Sequence, residues 1–233
     1  MKTQKLLVVI TMMMAAISAS AQYEPGTFSV QPRLGFTLSK ISHIHPVRLE
    51  SGVTLDTHPI GGLIIGADMD YQLSELFSLS AGINWAMAGC GWEDYEKKEN
   101  GLTYELNDPR IQTAYLNIPV TANFYVWKGL ALRTGLQMGF LTVANLMWTV
   151  NISGSQDGKN VKMLTDTDES VKNQFNKFDL SIPVGVSYEF NNHLVLDARY
   201  NIGITKVNKD SEPGGKDNHN GSFSITIGYK IKL

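Results

Sequence analysis

The chain has 233 residues, 43% hydrophobic and 18% charged, with 20 basic against 22 acidic side chains and one cysteine. A net charge of −2 excludes a nucleic-acid binder that works by bulk electrostatics. A single cysteine excludes an intramolecular disulfide framework and a multi-cysteine zinc site.

Residues 1–21 carry Lys2 and Lys5, then an apolar run from Leu6 to Ile17, then Ser18, Ala19, Ser20 and Ala21. A basic start, about a dozen apolar residues and small residues at a cleavage point predict a secretory signal peptide cut before Gln22. The run is shorter than the roughly 20 residues a spanning helix needs. Residues 22–233 are then the exported domain, with 18 basic and 22 acidic residues and a charge of −4.

From residue 22 onward the pattern has period two. Phe28, Val30, Leu34, Phe36 and Leu38 oppose Ser29, Gln31, Arg33, Gly35, Thr37 and Ser39. Leu63, Ile65, Ala67, Met69 and Tyr71 oppose Gly62, Gly66, Asp68, Asp70 and Gln72. Phe77, Leu79, Ala81, Ile83, Trp85 and Met87 oppose Ser78, Ser80, Gly82 and Asn84. The fourth segment sets Ala114, Leu116, Ile118, Val120, Ala122, Phe124 and Val126 against Thr113, Tyr115, Asn117, Thr121, Asn123 and Tyr125. The fifth sets Leu130, Leu132, Leu136, Met138 and Phe140 against Arg133, Gly135, Gln137 and Gly139. The sixth sets Phe178, Leu180, Ile182, Val184, Val186, Tyr188 and Phe190 against Lys177, Asp179, Ser181, Gly185, Ser187 and Glu189. The last two oppose Leu194, Leu196, Ala198, Tyr200 and Ile202 to Asp197, Arg199, Asn201 and Gly203, then Phe223, Ile225, Ile227, Tyr229 and Ile231 to Ser224, Thr226, Gly228, Lys230 and Lys232. A helix repeats every 3.6 positions and cannot sort residues this way, so these are eight strands.

Short connections at 74–75, 128–129 and 191–192 alternate with long polar ones at 42–57, 88–110, 144–174 and 208–220. That layout predicts an all-β fold: an eight-stranded antiparallel up-and-down transmembrane barrel with short periplasmic turns, long extracellular loops and both termini periplasmic. A soluble sandwich also alternates, but it buries its apolar face and exposes a charged one. Here the polar faces are rich in glycine, serine and small amides, as a narrow interior requires. The strands, at roughly 13–16 residues, also exceed the five or six of a typical soluble sheet. A lysine or arginine on the lipid face at mid-depth costs about 2–4 kcal/mol, and the apolar faces carry none.

Outward aromatics fall in two bands. Phe28, Tyr71, Phe77, Phe124, Tyr188, Phe190 and Tyr229 lie toward the short turns; Trp85, Phe140, Phe178 and Phe223 lie toward the long loops. Two such girdles mark membrane interfaces. Pro119 and Pro183 fall mid-strand and inward, where a missing N–H predicts a bulge or a lost ladder bond at each.

Inside so narrow a barrel, Arg33, Arg133, Lys177, Arg199 and Lys230 are expected to meet Asp68, Asp70, Asp179, Glu189 and Asp197 as a salt-bridged plug, with an ion or proton path as the alternative. His43, His45 and His58 flank the first long loop but have no fixed carboxylate, so no metal is assigned. Cys90 reads as a spectator. Asp68 and Asp70 form the carboxylate pair a membrane hydrolase needs, without a serine or histidine placed beside them. No catalytic, cofactor-binding or metal-ligating residue and no cofactor is assigned. The mixed-charge stretches 93–99 and 157–172 suit solvent, while Trp92, Tyr95, Tyr104, Met147 and Trp148 either form an apolar contact patch or pack the loops together.

Three stretches add a resemblance: Tyr115-Leu116-Asn117-Ile118-Pro119-Val120, Phe178-Asp179-Leu180-Ser181-Ile182-Pro183-Val184-Gly185, and Leu196-Asp197-Ala198-Arg199-Tyr200 with Gly203. Together they resemble the PorT-like outer-membrane β-barrel family of Bacteroidetes-type bacteria. The resemblance implies an eight-stranded outer-membrane barrel, in some relatives linked to secretion and gliding, and supplies no catalytic residues. The sequence departs from many outer-membrane proteins in having Leu233 in place of a final aromatic, although Tyr229 and Ile231 keep the alternation. The expected function is therefore non-enzymatic, structural or loop-mediated, with outer-membrane lipid around the barrel, protein or ligand contacts through the loops, and no nucleic acid. A barrel-mouth hydrolase or acyltransferase and a small transport channel are the alternatives.

Overall fold

The computed structural model describes residues 24–44, 47–48, 52–156, 159–209 and 217–233. The export segment 1–21, His45 and Asp157 lie outside the described residues.

Eight strands carry the fold: β1 (Phe28–Ile41), β2 (Ile60–Ser74), β3 (Phe77–Trp92), β4 (Leu102–Trp127), β5 (Leu130–Gln156), β6 (Phe178–Glu189), β7 (Leu194–Gly203) and β8 (Asn220–Tyr229). Each pairs antiparallel with the next, and β8 returns to β1 through Arg33↔Gly228 to Ile41↔Asn220, closing the ring. Closure leaves no sheet edge inside the ring, so every strand finds a partner on both sides. Ile231–Lys232 continues the last strand onto Ser29 and Val30.

The alternation settles which face meets what. Leu34 and Phe36 are 59% and 70% exposed, whereas Gln31 and Arg33, of the opposite parity on the same strand, are 1% and 3% exposed. Apolar side chains point away from the axis around the whole ring, and polar ones fill it. A water-soluble core has the opposite sense. The outward aromatics pair across and along strands: Phe28 with Tyr71 at 4.5 Å and Phe77 with Phe124 at 5.0 Å on the turn side, Phe140 with Phe178 at 5.7 Å on the loop side.

Both mid-strand prolines point inward and interrupt one ladder each. Between β3 and β4 the pairing stops after Ala81↔Val120 and resumes at Asn84↔Asn117, opposite Pro119. Between β5 and β6 it stops after Ser181↔Gln137 and resumes at Val184↔Thr134, opposite Pro183. Register is the same before and after each gap, so the missing N–H removes ladder bonds without adding a bulge.

Strand lengths depart from the sequence expectation. β4 and β5 run for 26 and 27 residues, while β6, β7 and β8 have 12, 10 and 10. Two of the expected polar loops are instead mostly β-structure. Tyr95–Glu99 pairs with the start of β4, and Lys159–Ser170 pairs with the end of β5 from Ser170↔Asn145 to Lys159↔Gln156. The result is a four-stranded ribbon that continues the barrel wall past its mouth. Leu146, Trp148, Val150 and Ile152 keep a period of two there, joined by Leu102, Tyr104 and Leu106 across the pair.

Candidate functional site

The inward face of β2 delivers Asp68 and Asp70 two residues apart into the lumen, and strands on the other sides deliver the cations. Asp68 Oδ2 lies 3.1 Å from Arg33 Nε on β1, 3.5 Å from Arg133 Nη2 on β5 and 3.6 Å from Arg199 Nη2 on β7. Asp197 Oδ2 receives Arg133 Nη1 at 2.9 Å and Arg199 Nη2 at 3.2 Å. Toward the short turns, Lys230 Nζ bridges Asp70 at 3.1 Å and Glu189 at 3.2 Å. Arg133 also donates to Asn123 Oδ1 at 2.7 Å, and Ser80 donates to Asp70. Four cations thus meet four carboxylates, all nearly inaccessible to solvent. A buried charge survives only when paired, and here each has an opposite partner. Gly82 lets this happen: a Cβ there would run into Asp68 Oδ1.

Two members of the expected plug are elsewhere. Lys177 is exposed, one residue ahead of β6 at the rim, and takes no part in the network. Asp179 is buried and forms no ion pair with a lysine or arginine among the described residues; it accepts a hydrogen bond from Thr205 Oγ1 at 3.2 Å. It lines a separate chamber above the plug with Asn84, Asn117, Gln137 and Tyr115, a cavity of about 40 Å³. Amide and hydroxyl contacts hold its walls, among them Asn117 Nδ2 to Asn84 Oδ1 at 3.0 Å and Asn220 Nδ2 to the Tyr115 hydroxyl at 3.1 Å. Such a space admits a few waters and no solute of metabolite size.

Above the chamber the mouth is closed by an apolar core that the period-two pattern did not reveal. Ile41, Cys90, Trp92, Tyr115, Leu141 and Ala144 from the rims of the strands enclose Leu55, Val171, Phe175 and Val207 from the loops. Phe175 is held there by a short 3-10 turn, Lys172–Gln174, and by a bridge to Asn208. The only hint in the sequence is an isolated apolar residue within each polar loop. Cys90 is wholly buried among these side chains.

The other candidate residues separate. His58 bonds the carbonyls of Pro59 and Trp92, and His43 bonds that of Asp217. Among the described residues no cluster of histidine, cysteine and carboxylate could hold a metal. Ser80 donates to Asp70 but lies inside the plug, and Asp68 is surrounded by three guanidinium groups. The expected aromatic patch splits: Trp92 joins the mouth core with Tyr95 packed against it, whereas Tyr104, Met147 and Trp148 lie on the ribbon. The ribbon is otherwise dressed with charge, including Lys97 paired with Glu99 and Lys98 with Glu96. The hydrogen bond to Glu96 holds the Lys98 ammonium above the ordinary lysine range.

Among solved structures, the chain is similar to the attachment invasion locus protein Ail of Yersinia pestis, at 14% identity over 89% of this chain and 99% of that one, with a TM-score of 0.39. It is similar to Neisserial surface protein A at 16% identity, 88% and 97% coverage and a TM-score of 0.36. It is also similar to the outer membrane protease OmpT of Escherichia coli at 11% identity, 90% and 97% coverage and a TM-score of 0.35. At such values these likenesses carry no argument about this chain. No curated protein matches it. A family model described as an outer membrane protein beta-barrel domain matches residues 20–209, most of the chain. With its closed antiparallel ring and outward apolar belt, this chain belongs to the outer membrane protein β-barrel domain family.

Proposed function

We propose that this protein is a non-enzymatic member of the PorT-like branch, a sealed barrel that anchors a projecting ribbon and presents it at the cell surface, in a role tied to surface assembly or secretion. The observation that carries this reading is that the lumen is closed twice while β4 and β5 continue about a dozen residues beyond the mouth. At roughly 3.3 Å per residue that is a reach on the order of 40 Å. A plug of buried ion pairs disfavours a channel. Three arginines on Asp68, with no histidine near it among the described residues, disfavour a hydrolase.

In the same reading residues 1–21 are a cleaved export signal and both ends of the mature chain are periplasmic. Supporting this, Gly26 N–H bonds Gln72 O and Leu233 N–H bonds Phe28 O, which puts both ends beside the short turns. The test is to replace residues 146–168 with a tight turn, then compare surface cross-linking in intact outer membranes and conductance in planar bilayers. Surface contacts should fall with the ribbon removed, and the parent barrel should show no unitary conductance. Contacts that survive the deletion, or discrete current steps from the parent, would overturn the proposal.

A further inference from the structure

The strand Lys159–Ser170 forms the outer edge of the ribbon: it pairs with β5, and no other described strand lies against it. Long free edges in native sheets are blunted by charged side chains, proline, bulges or a covering segment, because unpaired N–H and C=O groups invite another strand. This edge is 12 residues long, contains no proline and keeps one register with β5 throughout. At its centre Met163 and Leu164, on opposite faces, are 56% and 65% exposed. Charge is kept to either side of this apolar pair, at Lys162 and Asp166, so the centre of the edge is apolar on both faces.

We propose that this edge pairs antiparallel with the same edge of a second copy of the chain rooted in an opposing membrane, so that the protein joins two surfaces. The proposal rests on the anchor-and-ribbon function above and names its partner. The strand is complementary to itself. Turned about Leu164, it sets Leu164 against Leu164, Lys162 against Asp166, Met163 against Thr165, and Val161 against Thr167. Directly opposed residues are the interacting unit of an antiparallel pair, and here the Lys162–Asp166 pair forms once on each side of the centre. Sliding the register by two, to turn about Thr165, would set Lys162 against Asp168 but Leu164 against Asp166, which breaks up the apolar centre.

Direction selects the opposing membrane. The ribbon strands continue β4 and β5 and so rise from the barrel at its strand tilt of roughly 35–45°. A copy in the same membrane rises the same way and cannot run antiparallel alongside. A copy descending from a facing membrane does, and main-chain hydrogen bonds then join two four-stranded ribbons into one sheet.

The test uses the folded full-length protein in two populations of phosphatidylcholine vesicles carrying different fluorescent lipids, with bridging read by energy transfer. Wild-type vesicles should bridge. Lys162→Asp alone and Asp166→Lys alone should each reduce bridging at least tenfold. Vesicles bearing Lys162→Asp mixed with vesicles bearing Asp166→Lys should bridge again, since opposite signs then face each other at every pair. Both sites are exposed, and heat-dependent gel mobility verifies that each variant is folded. Dispersed wild-type vesicles, single variants that still bridge, or a mixture that fails to recover would each overturn self-pairing. If vesicles stay apart while deletion of the ribbon still strips contacts from intact cells, self-pairing fails and the proposed function stands.

Discussion

The plug and the mouth lie in one lumen and exclude water by different chemistry. At the plug, Arg33, Arg133, Arg199 and Lys230 meet Asp68, Asp70, Asp197 and Glu189, and almost every contact is an ion pair or a charge-assisted hydrogen bond. At the mouth, Leu55, Cys90, Trp92, Val171, Phe175 and Val207 close the opening with none. The difference follows from what surrounds each. Mid-barrel, lipid takes the apolar faces, so the alternation leaves only polar side chains to fill the axis. Past the membrane the loops fold over the opening, and ordinary burial from water applies again. The plug is thus strong only as a complete set, whereas the mouth is a sum of separate packing contacts.

The comparison can be broken most forcefully at Asp68. Asp68→Asn leaves three guanidinium groups around a neutral amide, and loss of one partner in a buried pair costs about 3–5 kcal/mol. Urea unfolding in lipid vesicles, followed by tryptophan fluorescence, should show that loss at both low and high salt, because buried pairs are little screened. Phe175→Ala should cost less, about 2–3 kcal/mol, since loops around the hole can partly collapse. With the plug intact the same variant should still give no current steps in planar bilayers. Asp179→Asn sharpens the contrast, for it is the same substitution one chamber higher, where Thr205 donates and no lysine or arginine among the described residues pairs. It should cost about 1 kcal/mol by the same urea measurement. Lys98→Ala removes only an exposed pair on the ribbon and should leave the unfolding midpoint unchanged. Equal losses for Asp68→Asn and Asp179→Asn would mean the plug is no more cooperative than the chamber.

Much of this is legible in the sequence, and what is not has a common physical source. Val30, Leu34, Phe36 and Leu38 declare the outward face of β1 because a strand has only two sides. The same rule was available at Leu146, Trp148, Val150 and Ile152, but polar neighbours and distance from the membrane disguised β5 as a loop. Lys177 has the inward parity, yet parity governs direction only within the sheet, and the sheet starts at Phe178. Leu55, Val171, Phe175 and Val207 carry no period at all. They meet because three loops converge on one rim.

Sequence alone determined the eight strands, their order, the side of each facing hydrocarbon and the charge of the filling, since all of these are local properties of an alternating chain. Tertiary structure alone decided that Asp68 takes three arginines while Asp179 takes none, that the mouth is sealed, and that β4 and β5 outrun their neighbours. Those outcomes depend on contacts across the barrel axis between strands far apart in the chain, and no local pattern records which residues will stand at the same height.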